Sequence, residues 1–179
     1  MPSNKDRLYV ALYARGGIAK MPDKEDTYHW ALIVGPKAET EGSMGYRYHA
    51  KERPNLRQGS EWFFEERNIP LIPTSMLLVR IMVGKVADGK RLVQILRNIP
   101  IRQGQPGWNC VFWVQEALQA LKDDGKALGT NVIEWQRVRD QAMAYCQKKK
   151  DQHRFDGRGN FDATKAPTYD LVEDKEIIG

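Results

Sequence analysis

Cysteine and histidine are the residues of this 179-residue chain that are best suited to covalent chemistry. Cys110 follows Asn109, a good helix N-cap, and apolar residues recur after it at helical spacing, so the thiol is predicted in the first turn of a helix. The helix dipole and unpaired backbone N–H groups favour a thiolate there, and we expect them to lower the thiol pKa. An ordinary buried cysteine is the competing interpretation, because Val111, Phe112 and Trp113 come next.

Two of the three histidines lie in strand-like segments in the first half of the chain. His29 stands at the entrance of an apolar run, and a base on a strand beside a thiol on a helix end is the pair of groups that thiol catalysis requires. His49 is predicted on the adjacent strand, where it can hold the His29 ring in one tautomer. The sequence therefore predicts Cys110 as nucleophile, His29 as base and His49 as orienting residue. For each histidine alone, a hydrogen-bonded structural role is the alternative.

The hydrophobic pattern around these residues predicts an α+β fold in which an antiparallel sheet of about five strands packs against three helices. Nearly continuous apolar stretches in the first half are typical of strands covered on both faces. The expected strands are residues 7–15, 28–34, 46–51, 61–67 and 75–86.

The second half of the chain changes to helical periodicity. Asp88 is the predicted cap of a first helix, which Pro100 ends. Asn109 caps the second helix, and the third is expected to begin at Asn131, with Glu134 completing a capping box. From about residue 152 onward we expect an irregular tail.

The chain is expected to form a single catalytic domain over residues 1–179, since it contains neither an internal repeat nor a dividing linker. No apolar run reaches the roughly 18 residues that would span a bilayer, and residues 1–7 are polar, which indicates a cytoplasmic protein. Thiols stay reduced there, and Cys146, in the middle of a predicted helix, is interpreted as inert. Histidine and cysteine do not occur at metal-ligand spacing, so no metal is expected.

A basic stretch near the third helix is a candidate contact for a polyanion. The net charge is +5, and two aspartates are the only acidic residues among the cations of this stretch. A solvated helix end whose lysines complement the helix dipole is the alternative. The candidate RNA-binding residues are Arg137, Arg139, Lys148, Lys149, Lys150 and Arg154.

Three short motifs resemble the permuted papain-like pattern of lecithin:retinol acyltransferase-type proteins. They are HWALIVG at residues 29–35, a strand ending in YHA at 48–50, and NCVFWV at 109–114. In those proteins the order is histidine, second polar residue, cysteine, so the resemblance implies a permuted papain-like fold with the three catalytic residues named above. The two residues after the cysteine differ from the Glu-His that those proteins usually carry.

A second resemblance covers more of the chain. The blocks KDRLYVALYARGG (5–17), DTYHWALIVGPK (26–37), GWNC (107–110) and HRFDG (153–157) resemble the fungal arginine-containing cyclodipeptide synthases. That family takes arginine from arginyl-tRNA and condenses it with a second aminoacyl group to form a diketopiperazine. The resemblance implies two aminoacyl-tRNA substrates and no cofactor, because the ester to tRNA is already activated.

Such a reaction would use Cys110 to carry an aminoacyl thioester, and an arginine substrate would need a carboxylate for its guanidinium. Asp26 and Glu116 are the candidates for that carboxylate. Trp30, Trp108 and Asn109 are further candidate substrate contacts, although core packing explains the tryptophans equally well.

Two other functions remain open at this point. One is a papain-like thiol hydrolase or acyltransferase that acts on a small amide or ester, and the other is a non-catalytic RNA-binding module. Neither the second amino acid, the order of loading nor the oligomeric state follows from the sequence.

Overall fold

The computed structural model describes residues 4–179, so residues 1–3 of the polar N-terminal segment lie outside the described part of the chain. The strands are β1 (Arg7–Ala14), β2 (Tyr28–Gly35), β3 (Met44–Asn55), β4 (Gly59–Pro70), β5 (Leu77–Val86), β6 (Leu128–Asn131), β7 (Thr168–Asp170) and β8 (Lys175–Ile178). The α-helices are α1 (Gly89–Arg97), α2 (Cys110–Asp124) and α3 (Trp135–Asp151). The fold is α+β.

All eight strands belong to one sheet, in the order β4-β3-β2-β1-β5-β7-β8, with β6 also paired to β5. The five predicted strands correspond to β1–β5, but the prediction of an antiparallel sheet of about five strands is wrong. Three short strands enlarge the sheet, and β7 pairs with β5 in parallel, so the sheet is mixed. Segments of three or four residues are too short to show an alternating pattern, which is why the sequence did not reveal them.

The helix predictions are confirmed for α1 and α2 and corrected for α3. The Asp88 and Asn109 side chains each accept backbone N–H groups at the start of their helices. Asn131 instead ends β6, and Glu134 is itself the N-cap of α3. The C-terminal tail is not irregular throughout, since it supplies β7 and β8.

The sheet buries both of its faces, which explains the continuous apolar runs of its central strands. Side chains on one face, such as Leu12 and Trp30, pack with α2 and α3 in the larger core cluster. Alternate residues, such as Tyr9 and Tyr13, form a smaller cluster on the other face. Among residues 4–179, no helix is long and apolar enough to cross a membrane.

Candidate active site

The N-terminus of α2 is built by Asn109. Its Oδ1 accepts the backbone N–H of Val111 at 2.9 Å and of Phe112 at 3.4 Å, so Cys110 is the first residue of the helix. These two N–H groups serve the cap, which leaves fewer free donors at the helix start than its position alone suggests.

The Cys110 thiol lies beneath this cap and is only 1% exposed. Burial raises its pKa, although the backbone N–H of Trp30 and the Arg15 guanidinium act in the opposite direction. The expected lowering of the Cys110 pKa is therefore wrong, because desolvation of the buried sulfur outweighs the helix terminus. The thiol is therefore protonated at neutral pH, and a nucleophilic role would require a base.

A hydrogen-bonded chain of three side chains crosses strands β2, β3 and β4. His29 Nε2 lies 2.6 Å from His49 Nδ1, and His49 Nε2 lies 2.9 Å from Glu65 Oε1. The β3–β4 hairpin places Glu65 directly opposite His49, which is 3% exposed. The predicted contact between His29 and His49 is therefore present, and Glu65 extends it.

Glu65 determines the tautomers of both rings. Burial raises the pKa of Glu65, but the hydrogen bond from His49 and nearby cations hold it below its usual value, so the group is a carboxylate. A carboxylate only accepts, so His49 Nε2 carries its proton and His49 Nδ1 accepts from His29 Nε2–H. His29 Nδ1 is then left with a free lone pair, as a general base requires.

The thiol and the free ring nitrogen lie on opposite faces of the sheet. Trp30 packs with Cys110 in the core cluster on the helix side. Side chains alternate along a strand, so His29 lies on the other face with Tyr13, whose ring centroid is 6.1 Å away. Within residues 4–179 no hydrogen bond joins Cys110 to His29, and proton transfer between them requires the imidazole to turn toward the helix side of the sheet.

Both imidazoles are neutral in this environment. Burial, followed by the neighbouring His49 and Arg47, lowers the pKa of His29 to about 3. Burial likewise lowers the pKa of His49 to about 4, although the hydrogen bond to Glu65 opposes it. Both rings are therefore unprotonated at neutral pH, and while they stay buried each is a weaker base than a free imidazole.

A cavity of about 450 Å³ opens beside the cap of α2. Two indole rings, Trp62 and Trp108, line it with centroids 5.6 Å apart in an edge-to-face arrangement. The Trp108 Nε1–H is buried and has no hydrogen-bond partner within residues 4–179. Trp108 therefore carries an unsatisfied buried donor at the edge of the cavity.

The loop between β1 and β2 covers one side of this cavity. Asp26, which is 6% exposed, accepts the backbone N–H of Lys20 at 2.7 Å and of Met21 at 3.1 Å. Arg15 donates to the Asp26 backbone carbonyl at 2.9 Å, and the Asn109 Nδ2 group donates to the Met21 sulfur at 3.4 Å. Burial raises the pKa of Asp26, but these backbone hydrogen bonds outweigh it and keep the group a carboxylate that folds the loop.

Of the three carboxylates near the site, only Glu52 both lines the cavity and has an oxygen without a hydrogen bond within residues 4–179. Both oxygens of Asp26 accept backbone N–H groups of its own loop. Glu116 Oε1 accepts from Arg102 at 2.7 Å, and its Oε2 is buried without a partner, but Glu116 does not line the cavity. Glu52 lines the cavity beside Trp62, its cross-strand neighbour, and only its Oε2 is hydrogen-bonded within residues 4–179, to Ser60.

The two tryptophans named as substrate contacts have different positions. Trp30 is fully buried, donates to the Glu25 carbonyl and packs on Trp135, so it belongs to the core. Trp108 lines the cavity, and so does Asn109, whose Oδ1 caps the helix.

Several cations of the predicted basic face make contacts within the protein. Arg139 pairs with Glu25 at 3.0 Å, and the buried Lys149 pairs with Glu176 at 2.5 Å. Arg154 donates to backbone carbonyls of the C-terminal segment, and Lys150 lies over the Tyr28 ring. Arg137 and Lys148 have no hydrogen bond or ion pair from their side chains within residues 4–179, so the free part of this face is smaller than the sequence suggests.

Neither the second cysteine nor a metal-binding cluster adds a further reactive group to this site in the described part of the chain. Cys146 is fully buried against Tyr28, and burial raises its pKa. Within residues 4–179, no group of three or more His, Cys, Asp or Glu side chains could hold a metal ion.

Sequence reasoning missed three residues at this site: Glu65, Arg15 and Glu52. Glu65 could have been found from the hairpin, since the turn after Asn55 fixes which residue of β4 opposes His49. Arg15 and Glu52 depend on how a loop and a strand end meet around the cavity, for which the sequence carries no local signal.

Comparison with known proteins gives a family but no activity. A family model, DUF6914, described as a family of unknown function, matches residues 5–178. No curated protein matches the chain. No solved structure matches it either.

Proposed function

Because the chain belongs to the DUF6914 family of unknown function, its activity has to be inferred from its own site, and we propose that it is a cysteine-dependent aminoacyl transferase. The observation that carries the proposal is the chain from Glu65 through His49 to His29, which leaves one ring nitrogen with a free lone pair on the strand that packs against the α2 helix of Cys110. An acyl transfer site needs a histidine held in one tautomer and a cavity beside the nucleophile, and this chain has a Glu65-bonded histidine pair and a cavity at the N-terminus of α2.

The substrates that we propose are arginyl-tRNA and a second aminoacyl-tRNA, and the product is an arginine-containing cyclodipeptide. This part rests on the resemblance of four sequence blocks, from residue 5 to residue 157, to the fungal synthases. A cytoplasmic location belongs to the same proposal, since charged tRNA is found there.

The first half-reaction loads the enzyme. The Cys110 sulfur attacks the ester carbonyl of an aminoacyl-tRNA while its proton passes to His29 Nδ1, a transfer for which the imidazole has to turn toward the helix side of the sheet. The tetrahedral oxyanion is stabilised by donors beside the sulfur, the Cys110 N–H and the Arg15 guanidinium, each worth roughly 3 kcal/mol in comparable sites. The ribose hydroxyl leaves with the proton from His29, and an aminoacyl thioester remains.

The second half-reaction forms two amide bonds. The α-amine of the second aminoacyl-tRNA attacks the thioester and regenerates the thiol, which gives a dipeptidyl-tRNA. Its free amine then attacks its own ester carbonyl, releasing the diketopiperazine and the tRNA hydroxyl. No oxidant, nucleotide or metal is consumed.

Glu52 is the carboxylate that we assign to the arginine side chain in this reaction. Its free oxygen and the adjacent Trp62 and Trp108 rings offer the charge and the flat surface that a guanidinium prefers. Asp26 is not assigned this role because both of its oxygens are hydrogen-bonded to its own loop, and Glu116 is not assigned it because Glu116 does not line the cavity.

The decisive experiment is incubation of the purified protein with arginyl-tRNA and mixed aminoacyl-tRNAs, followed by mass spectrometry. We expect an arginine-containing diketopiperazine, its loss after ribonuclease treatment, and no product from Cys110→Ala. With Glu52→Gln, arginine-containing products should decline more than the total thioester adduct on Cys110. Absence of any diketopiperazine from the wild-type protein would contradict the substrate assignment.

A second candidate function is a thiol hydrolase or acyltransferase acting on a small amide or ester. The internal contacts of Arg139, Lys149 and Arg154 favour it, since they reduce the surface left for RNA. Burst release from an activated ester, unchanged by ribonuclease and lost in Cys110→Ala, would support this function over the first.

A further inference from the structure

A second cavity, of about 460 Å³, lies on the sheet face opposite the helices. Part of its wall is aliphatic and is formed by Leu71, Ile72, Ile177 and Ile178. Ile72 is 38% exposed and Ile177 is 47% exposed, so this apolar surface is open to water. None of the catalytic residues assigned above lines it.

The polar part of this cavity is the buried guanidinium of Arg80, which is 2% exposed. Its Nε donates to Thr168 Oγ1 at 3.0 Å, and its plane lies over the Tyr9 ring at 4.5 Å. These contacts fix the orientation of the guanidinium and direct its two terminal nitrogens to a single carboxylate.

That carboxylate belongs to Glu39, on the loop between β2 and β3. Its Oε1 accepts from Nη1 at 2.6 Å and its Oε2 from Nη2 at 3.3 Å, which is the paired geometry that arginine offers to any carboxylate. Glu39 is partly exposed on an otherwise exposed loop, whereas Arg80 is held in the sheet. The glutamate is therefore the partner that can leave the pair with less disturbance of the core.

Charge around the cavity favours an anion once Glu39 is displaced. Lys37 and Lys165 line the cavity together with Arg80, and Glu41 is the remaining acidic residue. We propose that this cavity binds an amphipathic carboxylate, whose head group replaces Glu39 on Arg80 and whose apolar part contacts the aliphatic walls. Glu39 acts as an internal competitor that lowers the apparent affinity of such a ligand.

The test uses octanoate as the probe and titration calorimetry on the full-length protein. We expect Glu39→Ala to bind octanoate at least roughly tenfold more tightly than the wild type, since a charge-assisted pair no longer has to be broken. Glu41→Ala is the matched control, because it removes the same charge from the same cavity without touching Arg80. Its affinity should stay close to that of the wild type.

Two further measurements control for misfolding of the variant and for binding through the apolar chain alone. Glu39→Gln keeps a hydrogen-bond acceptor near Arg80, so it provides a folded comparison if Glu39→Ala is unstable, and it should also bind more tightly than Glu41→Ala. Octanol lacks the carboxylate and should bind more weakly than octanoate. Equal binding of octanol and octanoate, or equal affinities in the Glu39 and Glu41 variants, would overturn the proposal.

Discussion

The imidazole chain across β2–β4 and the basic end of α3 both contain residue types associated with function. They differ in how many of their hydrogen-bonding and charged groups are already paired within the protein. In the first region, Glu65 and His49 fix each ring so that one nitrogen, His29 Nδ1, keeps a free lone pair. In the second, Lys149 and other cations are paired within the protein. The comparison shows that a candidate functional group is identified by a lone pair or charge that no neighbour uses, more than by its residue type.

Removing either end of the proposed catalytic unit tests this comparison most strongly. Cys110→Ala and His29→Ala should each lower the rate of aminoacyl transfer at least about 1,000-fold, because nucleophile and base act as a unit. Cys146→Ala serves as the control, since that buried thiol contacts only Tyr28 and core residues. Single-turnover formation of the Cys110 thioester is the measurement, and full activity in His29→Ala would remove the base from the mechanism.

Glu65→Gln tests whether the carboxylate controls the tautomers. We expect kcat to fall roughly 10- to 100-fold, the usual cost of losing an orienting partner, while KM changes little. Glu61→Gln is the matched control on the same strand, because Glu61 pairs with the exposed Arg53 and does not reach either imidazole. Similar losses of kcat in the two variants would mean that the loss comes from removing a negative charge from β4 and not from breaking the hydrogen-bonded chain to His29.

The depressed pKa values of His29 and His49 predict a specific dependence of stability on pH. Each ring binds a proton in the unfolded chain near pH 6.5 but resists it in the folded chain down to about pH 3 or 4. The unfolded state thus binds more protons in this window, so the contribution is present above pH 6.5 and is lost as the pH falls.

Between pH 6.5 and pH 5 the free energy of unfolding should fall by roughly 2 kcal/mol for each such imidazole. Denaturant unfolding of the wild type and of a His29→Gln/His49→Gln double variant at these two pH values measures the effect. A wild-type loss no larger than that of the double variant would show that the rings are not buried as neutral groups.

The sequence predicted the parts of the site that depend on local signals. Asn109 and Cys110 were placed correctly, because a cap followed by an apolar period of 3.6 residues is a local pattern. The direction of the Cys110 pKa was predicted wrongly, since burial of the thiol in the core between α2 and the sheet is a tertiary effect. The parallel pairing of β7 with β5 joins residues about 90 positions apart, and no local pattern encodes such a contact.

The smallest expected effects separate two neighbouring lysines of α3. Lys149→Met should lower the free energy of unfolding by about 1 to 3 kcal/mol. It removes the charged hydrogen bond to Glu176, whose side chain is only 35% exposed and would then lack its cation. Lys148→Met should change stability by less than about 0.5 kcal/mol, as for other surface substitutions without partners. If tRNA binds this face, Lys148→Met should still reduce the salt dependence of tRNA binding by close to one phosphate contact. A salt dependence unchanged in Lys148→Met, with stability lost in Lys149→Met, would assign this end of α3 to the fold alone.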